Sequence, residues 1–321
     1  MGTPSDALHI VTPTILSHPM TKVAGFNVYI KLDNLQIPGS FKIRGIGNFC
    51  KKAKARGCKK IVCASGGNAG LAAAYAAHQL NLQATIVLPK TTPGFVADKL
   101  RDFGAEVEIH GNVWDEANSY AQTLAADPEC EYVHPFDHKD TWEGHETIIK
   151  EAVSQMTTPP DVVITCVGGG GLLNGIIQGM QNNGWQNIPV IAMETVGADC
   201  LNASLAADKI VTLPTITSVA KCLGALTPSS TTFEYCKKYN IISDLVTDKQ
   251  AIDACLRFAD DHRMLVEPAC GASLAAIYSN IIQKLQSQNK LGPVKTAFLL
   301  VCGGSGVTLE SLQNWKQEFG I

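Results

Sequence analysis

The chain has 321 residues, of which 45% are hydrophobic, enough for one large or two modest domains with a substantial buried core. Its 26 Lys+Arg stand against 29 Asp+Glu, a net charge of −3, which excludes a strongly basic nucleic-acid surface and an electrostatic membrane anchor. Eleven cysteines, an odd number with no C-x-x-C pair, lie mostly in apolar or helical contexts and read as reduced packed thiols of a cytoplasmic protein.

Met1 to Ile10 lacks a basic region followed by an apolar core, so no secretory signal is expected. Gly2 suggests myristoylation, but Asp6 stands where that pattern needs Ser or Thr, and the Asn202-Ala203-Ser204 sequon is then silent. Asp161 to Glu194 encloses no charge, yet a glycine run, glutamines and asparagines interrupt it, which favours a buried strand, turn and helix over a membrane span.

Val28 to Leu32 predicts a strand, and Pro38-Gly39-Ser40-Phe41-Lys42-Ile43-Arg44-Gly45 a turn before a helix over Gly45 to Arg56. The lysines of that helix read as its solvated face. Strands then alternate with helices: Ile61 to Ala64, Ala69 to Leu80, Ala84 to Leu88, Val96 to Phe103, Glu106 to His110, Trp114 to Ala126. A second series runs through helix Trp142 to Ser154, strand Val162 to Val167, helix Leu172 to Met180, strand Val190 to Met193 and helix Asp199 to Ala207. The last third gives strand Ile241 to Val246, a helix opening at the capping box Thr247 to Gln250, a long helix from Ala269 to Leu285, strand Thr296 to Val301 and a closing helix from Thr308. The pattern implies an α/β fold, mostly parallel open sheets with helices on both faces, whose ligands sit beyond the carboxyl ends of the strands.

Three glycine-rich turns occupy such positions. Gly168-Gly169-Gly170-Gly171, between a strand and a helix, offers backbone N–H groups and a positive dipole end to a phosphate. It matches neither G-x-G-x-x-G, because Leu173 and Asn174 stand where glycine is needed, nor a P-loop. Ser65-Gly66-Gly67-Asn68-Ala69-Gly70 suits a carboxylate at a helix N-terminus, although Ser65 could equally be an N-cap. Cys302-Gly303-Gly304-Ser305-Gly306 marks close backbone approach. Lys42, flanked by Phe41 and Ile43 and near Arg44, is a candidate Schiff-base lysine, against the reading of an ordinary lysine at a helix start. Together these features point to a phosphorylated aldehyde cofactor, which pyridoxal phosphate is.

These segments, with Trp142-Glu143-Gly144-His145, Met193-Glu194-Thr195, Ile216 to Lys221 and Val266 to Ala272, resemble the fold-type-II (tryptophan synthase β-like) pyridoxal-phosphate enzymes, most nearly the animal serine dehydratase and threonine deaminase group. The resemblance implies two domains, a large cofactor-binding one (1–48 and 139–321) and a small inserted one (49–138). It implies Lys42 as the Schiff-base lysine, Asn68 against the cofactor's phenolic oxygen and Phe41 stacked on its ring. Gly168, Gly169, Gly170, Gly171 and Leu172 would hold the phosphate, Cys302 would face the pyridine nitrogen, and Cys222 the second ring face, where relatives carry alanine or serine. A thiol at Cys302 does not hold that nitrogen protonated as a carboxylate would, which favours elimination over a long-lived carbanion. Ser65, Gly66, Asn68 and Ala69 would take the substrate carboxylate, with His134-Pro135-Phe136 bordering the pocket. Gly66 stands where relatives divide between alanine and glycine, and Ala64 replaces a serine. A monovalent cation, potassium, would be held by Glu194 and by the carbonyls of Gly168, Ala198, Leu223 and Ala225. The implied activity is α,β-elimination of L-serine to pyruvate and ammonia, and of L-threonine to 2-oxobutanoate, by a cytoplasmic homodimer feeding gluconeogenesis, with no nucleic-acid or membrane partner. A serine racemase, a β-replacing synthase and a non-catalytic ligand-binding relative are the alternatives.

Overall fold

A computed structural model describes residues 7–92 and 94–321; Gly2 and Asp6, which bear on myristoylation, lie outside them. The chain opens with a short strand β1 (Thr14–Leu16) and a helix α1 (His18–Ala24), neither anticipated from sequence. Ser17 caps α1 by accepting from the Met20 N–H, and Gly25 at φ 79° closes it. Strand β2 (Asn27–Leu32) follows. Helix α2 (Lys42–Ala55) starts three residues before the predicted boundary, so Lys42 lies on its first turn rather than in a loop. Next come β3 (Lys60–Cys63), α3 (Asn68–Gln79), β4 (Gln83–Leu88), α4 (Gly94–Asp102), β5 (Glu106–Ile109), α5 (Trp114–Leu124), β6 (Cys130–Tyr132) and α6 (Lys139–Gln155). The remainder gives β7 (Val162–Cys166), α7 (Gly171–Asn182), β8 (Val190–Thr195), α8 (Cys200–Ala206), α9 (Ser230–Lys238), β9 (Ile241–Val246) and α10 (Asp248–His262). The predicted long helix is two, α11 (Pro268–Tyr278) and α12 (Ile281–Ser287), because Asn280 takes a left-handed conformation at φ 56°. Strand β10 (Thr296–Val301) and helix α13 (Leu309–Glu318) complete it.

These elements form two compact units, one of Gln36–His145 with the chain up to Ile10, the other of Val11–Leu35 and Glu146–Ile321. Lys42 and all of α2 lie in the smaller unit.

The smaller unit holds a four-stranded sheet, β5-β4-β3-β6, parallel throughout. Alternation along the strands sends Ile61, Cys63, Ile86 and Leu88 to a core shared with Ile43, Ile46 and Phe49 of α2 and the alanines of α3. Val62, Ala64 and Val87 point the other way, onto Ala117 and Ala121 of α5. Burial on both faces explains why these strands read as unbroken apolar runs.

The larger unit holds a six-stranded sheet in the order β1-β2-β10-β7-β8-β9, parallel except for the edge strand β1. Helix α11, every residue of which is buried, packs on β7, β8 and β10. Because β2, β10, β7, β8 and β9 run the same way, the residues that follow β7, β8 and β10 emerge at one edge. A buried ionic network ties β1 and β2 to α6: Lys31 Nζ, fully buried, donates to the Thr12 carbonyl at 2.7 Å, Glu151 Oε2 at 2.6 Å and Gln155 Oε1 at 3.0 Å.

Candidate active site

In the smaller unit, Gly39 at φ 80° turns the chain by donating its N–H to the Gln36 carbonyl at 2.7 Å, which delivers Ser40, Phe41 and Lys42 to the start of α2. Lys42 is half-buried, and its Nζ donates to the Pro135 carbonyl at 2.5 Å. Burial pushes the Cys63 thiol at the end of β3 up to about 12, against the pull of the nearby Lys42 charge. The lysine thus stands where β3 and β6 end, the edge at which parallel sheets bind ligands. The Phe41 ring packs against that of His145, centroids 5.0 Å apart at 54°. His145 is fully buried with neither ring nitrogen hydrogen-bonded, and burial, reinforced by the charges of Lys42, Arg44 and His9, holds it well below the ordinary histidine range.

The Ser65 turn follows β3. Ser65 does not cap α3, since Gly67 occupies that position; its Oγ accepts from the Gly67 N–H at 3.3 Å instead. No side chain caps α3 at Gly67, so its first turn points backbone N–H groups out of the helix start. A Cβ at Gly70 would lie 1.8 Å from the Ser65 carbonyl oxygen, so glycine is what lets the turn fold onto the helix. Asn68 and Ala69 are buried, and the Trp114 indole fixes the approach to the turn by donating to the Ala64 carbonyl at 2.7 Å. A methyl on Gly66 would come within 3.0 Å of Val96 and 3.2 Å of Leu88, tighter than ordinary contact.

In the larger unit, Gly168–Gly171 joins β7 to α7. Gly170 sits at φ 98° as the residue before α7, again without a side-chain cap. A Cβ there would fall 1.9 Å from Thr232 Oγ1, which donates to Asn174 Oδ1 at 2.9 Å, and the Gly169 carbonyl accepts from the Ser229 N–H at 2.9 Å. Gly168 abuts the backbone of Cys222 and Leu223, where a Cβ would meet Leu223 Cα at 3.1 Å. Leu172 is buried on the first turn of α7, and Cys222 is exposed. Cys302, beyond β10, has its Sγ 3.6 Å from that of Cys166 at the end of β7. Hydrogen bonding with Cys166 and Cys270 and burial raise the Cys302 thiol well above its ordinary range, so it is a neutral S–H.

Of the expected cation ligands, Glu194 lies on β8, Gly168 follows β7, Ala198 precedes α8, and Leu223 and Ala225 lie between α8 and α9. Cys200 Sγ donates to the Gly168 carbonyl at 3.6 Å, and the Ala225 N–H donates to the Leu223 carbonyl at 2.8 Å. Ala198 is buried and paired with Thr195. Glu194 is fully buried; its two oxygens accept from the Leu201 N–H at 3.0 Å and the Asn202 N–H at 2.8 Å. Those bonds favour the carboxylate, yet burial outweighs them and raises it to about 8. Burial thus favours the neutral acid of Glu194 near pH 7. Among the described residues no group of three or more His, Cys, Asp or Glu could hold a metal ion. No helix among them is long and apolar enough to cross a membrane.

Sequence reasoning missed Thr232, Asn174 and the role of His134, whose Nδ1 accepts from the Phe136 N–H at 3.4 Å and the Asp137 N–H at 2.8 Å. Their partners lie on other elements or on backbone, where no spacing signal reports them.

Each unit carries a glycine turn before a helix start with no side-chain cap, before α3 in the smaller and before α7 in the larger, and the smaller also holds the half-buried Lys42 at the carboxyl edge of its parallel sheet. Residues 6–303 match the pyridoxal-phosphate dependent enzyme family, and the chain belongs to it, with the fold-type-II architecture. It is 49% identical to the human serine dehydratase-like protein, covering 98% of this chain and 96% of that one. It is 46% identical to human L-serine dehydratase/L-threonine deaminase, covering 98% and 97%. A fungal L-serine ammonia-lyase from Rhizomucor miehei superposes with a TM-score of 0.91 at 36% identity, covering 98% of this chain and all of that one.

Proposed function

We propose that the chain is an L-serine ammonia-lyase that forms pyruvate and ammonia and also deaminates L-threonine. The observation that carries this reading is the half-buried Lys42 amine at the strand edge, in a chain that matches serine dehydratases along nearly its whole length. When bound, pyridoxal phosphate supplies an electron sink for the carbanion left when the α-proton departs.

The residues present fit that cofactor: a glycine turn whose conformation only glycine adopts freely, an uncapped helix start behind it, and a neutral thiol beyond β10. In the proposed assignment the amides of Gly168 to Gly171 and Leu172 hold the phosphate, Asn68 the phenolic oxygen, Phe41 and Cys222 the two ring faces, and Cys302 the ring nitrogen. Ser65, Gly66, Asn68 and Ala69 hold the substrate carboxylate with amide and hydroxyl donors. Lys42 bonds the cofactor at rest and, once freed, takes the α-proton with its amine. Cys302, as a neutral thiol, would not hold the ring nitrogen protonated as a carboxylate would, and the β-hydroxyl would leave as water with its proton supplied at the cofactor phosphate. Glu194 and the carbonyls of Gly168, Ala198, Leu223 and Ala225 hold potassium. A large domain of 1–48 and 139–321 with a small one of 49–138, a homodimer and a cytoplasmic location complete the reading.

The test is an absorption spectrum of the purified protein followed by L-serine with coupled detection of pyruvate, beside Lys42→Ala. A visible cofactor band, pyruvate release and loss of both in the variant are expected. A band with D-serine formed instead of pyruvate would replace elimination by racemisation, and no band would overturn the cofactor assignment.

A further inference from the structure

His134 to Asp137, which follow β6 and Val133, form a turn whose two central peptide planes are each held by side chains of the same unit. Each trans peptide is rigid, so fixing its N–H fixes the opposed carbonyl. The plane joining Pro135 to Phe136 has its N–H 3.4 Å from His134 Nδ1, and its carbonyl accepts the Lys42 amine at 2.5 Å. The next plane is gripped at both ends: the Asp137 N–H donates to His134 Nδ1 at 2.8 Å, and the Phe136 carbonyl accepts the Trp142 indole N–H at 2.7 Å. The proline ring removes the remaining freedom at φ.

We propose that His134 is a positioning residue: its imidazole locks this turn so that the Pro135 carbonyl docks the Lys42 amine. Two amides converge on Nδ1, which fixes the neutral tautomer with its proton on Nε2. Burial depresses the histidine below its ordinary range, as do the Lys42 and His138 charges, and Asp137 opposes them. The rings of Phe136, 4.7 Å away, and Tyr132, 6.3 Å away, hold the imidazole edge-on. A carbonyl that accepts from the amine stabilises its proton-bearing form. The dock therefore receives Lys42 after it has taken the substrate's α-proton, and keeps that proton beside the reacting centre. This deepens the ammonia-lyase reading and rests on Lys42 being its base.

The experiment uses the full chain stripped of cofactor, so that it decides the docking even if L-serine yields no pyruvate. Acylation of Lys42 by an amine-directed reagent is followed by mass spectrometry, relative to the exposed Lys290, in wild type, His134→Ala and His134→Asn. Asparagine restores an acceptor that forms the same kind of turn with the amides two residues on. One lost hydrogen bond to a charged group predicts Lys42 labelling about 10 to 150-fold faster in the alanine variant, with the asparagine variant near wild type. An unchanged Lys42 to Lys290 ratio in His134→Ala would overturn the docking. Equal acceleration in both variants would overturn the acceptor role of Nδ1. Should His134→Ala not fold, Trp142→Phe releases the second plane, and unchanged labelling there overturns the proposal equally.

Discussion

Replacing Gly170 by alanine tests whether the tetraglycine turn is a phosphate cradle or mere packing. Gly170 sits at φ 98° and ψ −9°, where a side chain costs about 1 to 3 kcal/mol. Its new Cβ would also lie 1.9 Å from Thr232 Oγ1 and 2.7 Å from Thr232 Cβ, while Thr232 is fully buried and tied to Asn174. Overpacking of that kind costs about 1 to 3 kcal/mol more. The cheapest relief is to move the turn, which takes its amides off the phosphate. Losing two charge-assisted bonds worth about 1.5 to 3 kcal/mol each weakens cofactor binding roughly 10²-fold to 10⁴-fold. The assay titrates cofactor-free protein with pyridoxal 5′-phosphate and, separately, with pyridoxal, which lacks the phosphate. Gly170→Ala should lose affinity for the ester and leave the weaker pyridoxal binding unchanged. Adding Thr232→Ala removes the overlaps with Oγ1 and Cγ2 but keeps the Cβ at 2.7 Å, so it should restore only part of the loss and none of the part due to φ. Binding of the ester within threefold of wild type would refute the cradle.

Lys31→Met strands Glu151 as a buried charge and should cost about 3 to 5 kcal/mol in a urea unfolding series, whereas Lys31→Met with Glu151→Leu should regain most of it; equal losses would refute the network. His145 is neutral in the folded chain while the unfolded chain takes up a proton near pH 6.5, so its contribution is complete above that pH and is lost as pH falls, by about 1.4 kcal/mol per unit. His145→Leu should flatten that acid slope by one proton, leaving the share of His134, His138 and His262, which carry the same sign. Because neither ring nitrogen of His145 has a hydrogen bond to lose, the variant should be no less stable at pH 8. If Glu194 ligates potassium, exchanging tetramethylammonium for potassium should raise the melting temperature of wild type and not that of Glu194→Gln; equal rises would remove Glu194 from the ligand set.

Central strands such as β3, β4, β7 and β8 were legible because burial on both faces leaves a continuous apolar run, and the glycine turns were legible because they interrupt it. The elements that escaped reading have too little of their own to show. Strands β1 and β6 are three residues long and lie at sheet edges, where pairing with one neighbour replaces an apolar pattern. Helix α9 buries only Thr232 and Phe233 of its nine residues. The break at Asn280 was readable in Ser279-Asn280, since asparagine tolerates the left-handed conformation, but the apolar spacing on either side concealed it. Lys42 was placed in a loop because Gly45 and Gly47 weaken the helical signal and Phe41 supplies no capping oxygen; packing of Ile43, Ile46 and Phe49 overrides both. At the site the division is between groups that meet a ligand through the chain's own turn and groups that work by holding another segment. In the proposed assignment Lys42 and the glycines belong to the first kind and declare themselves by local sequence. His134, Thr232 and Asn174 belong to the second. Their effect depends on which peptide plane or Cβ position lies within about 3 Å, a distance that folding sets and residue spacing does not encode.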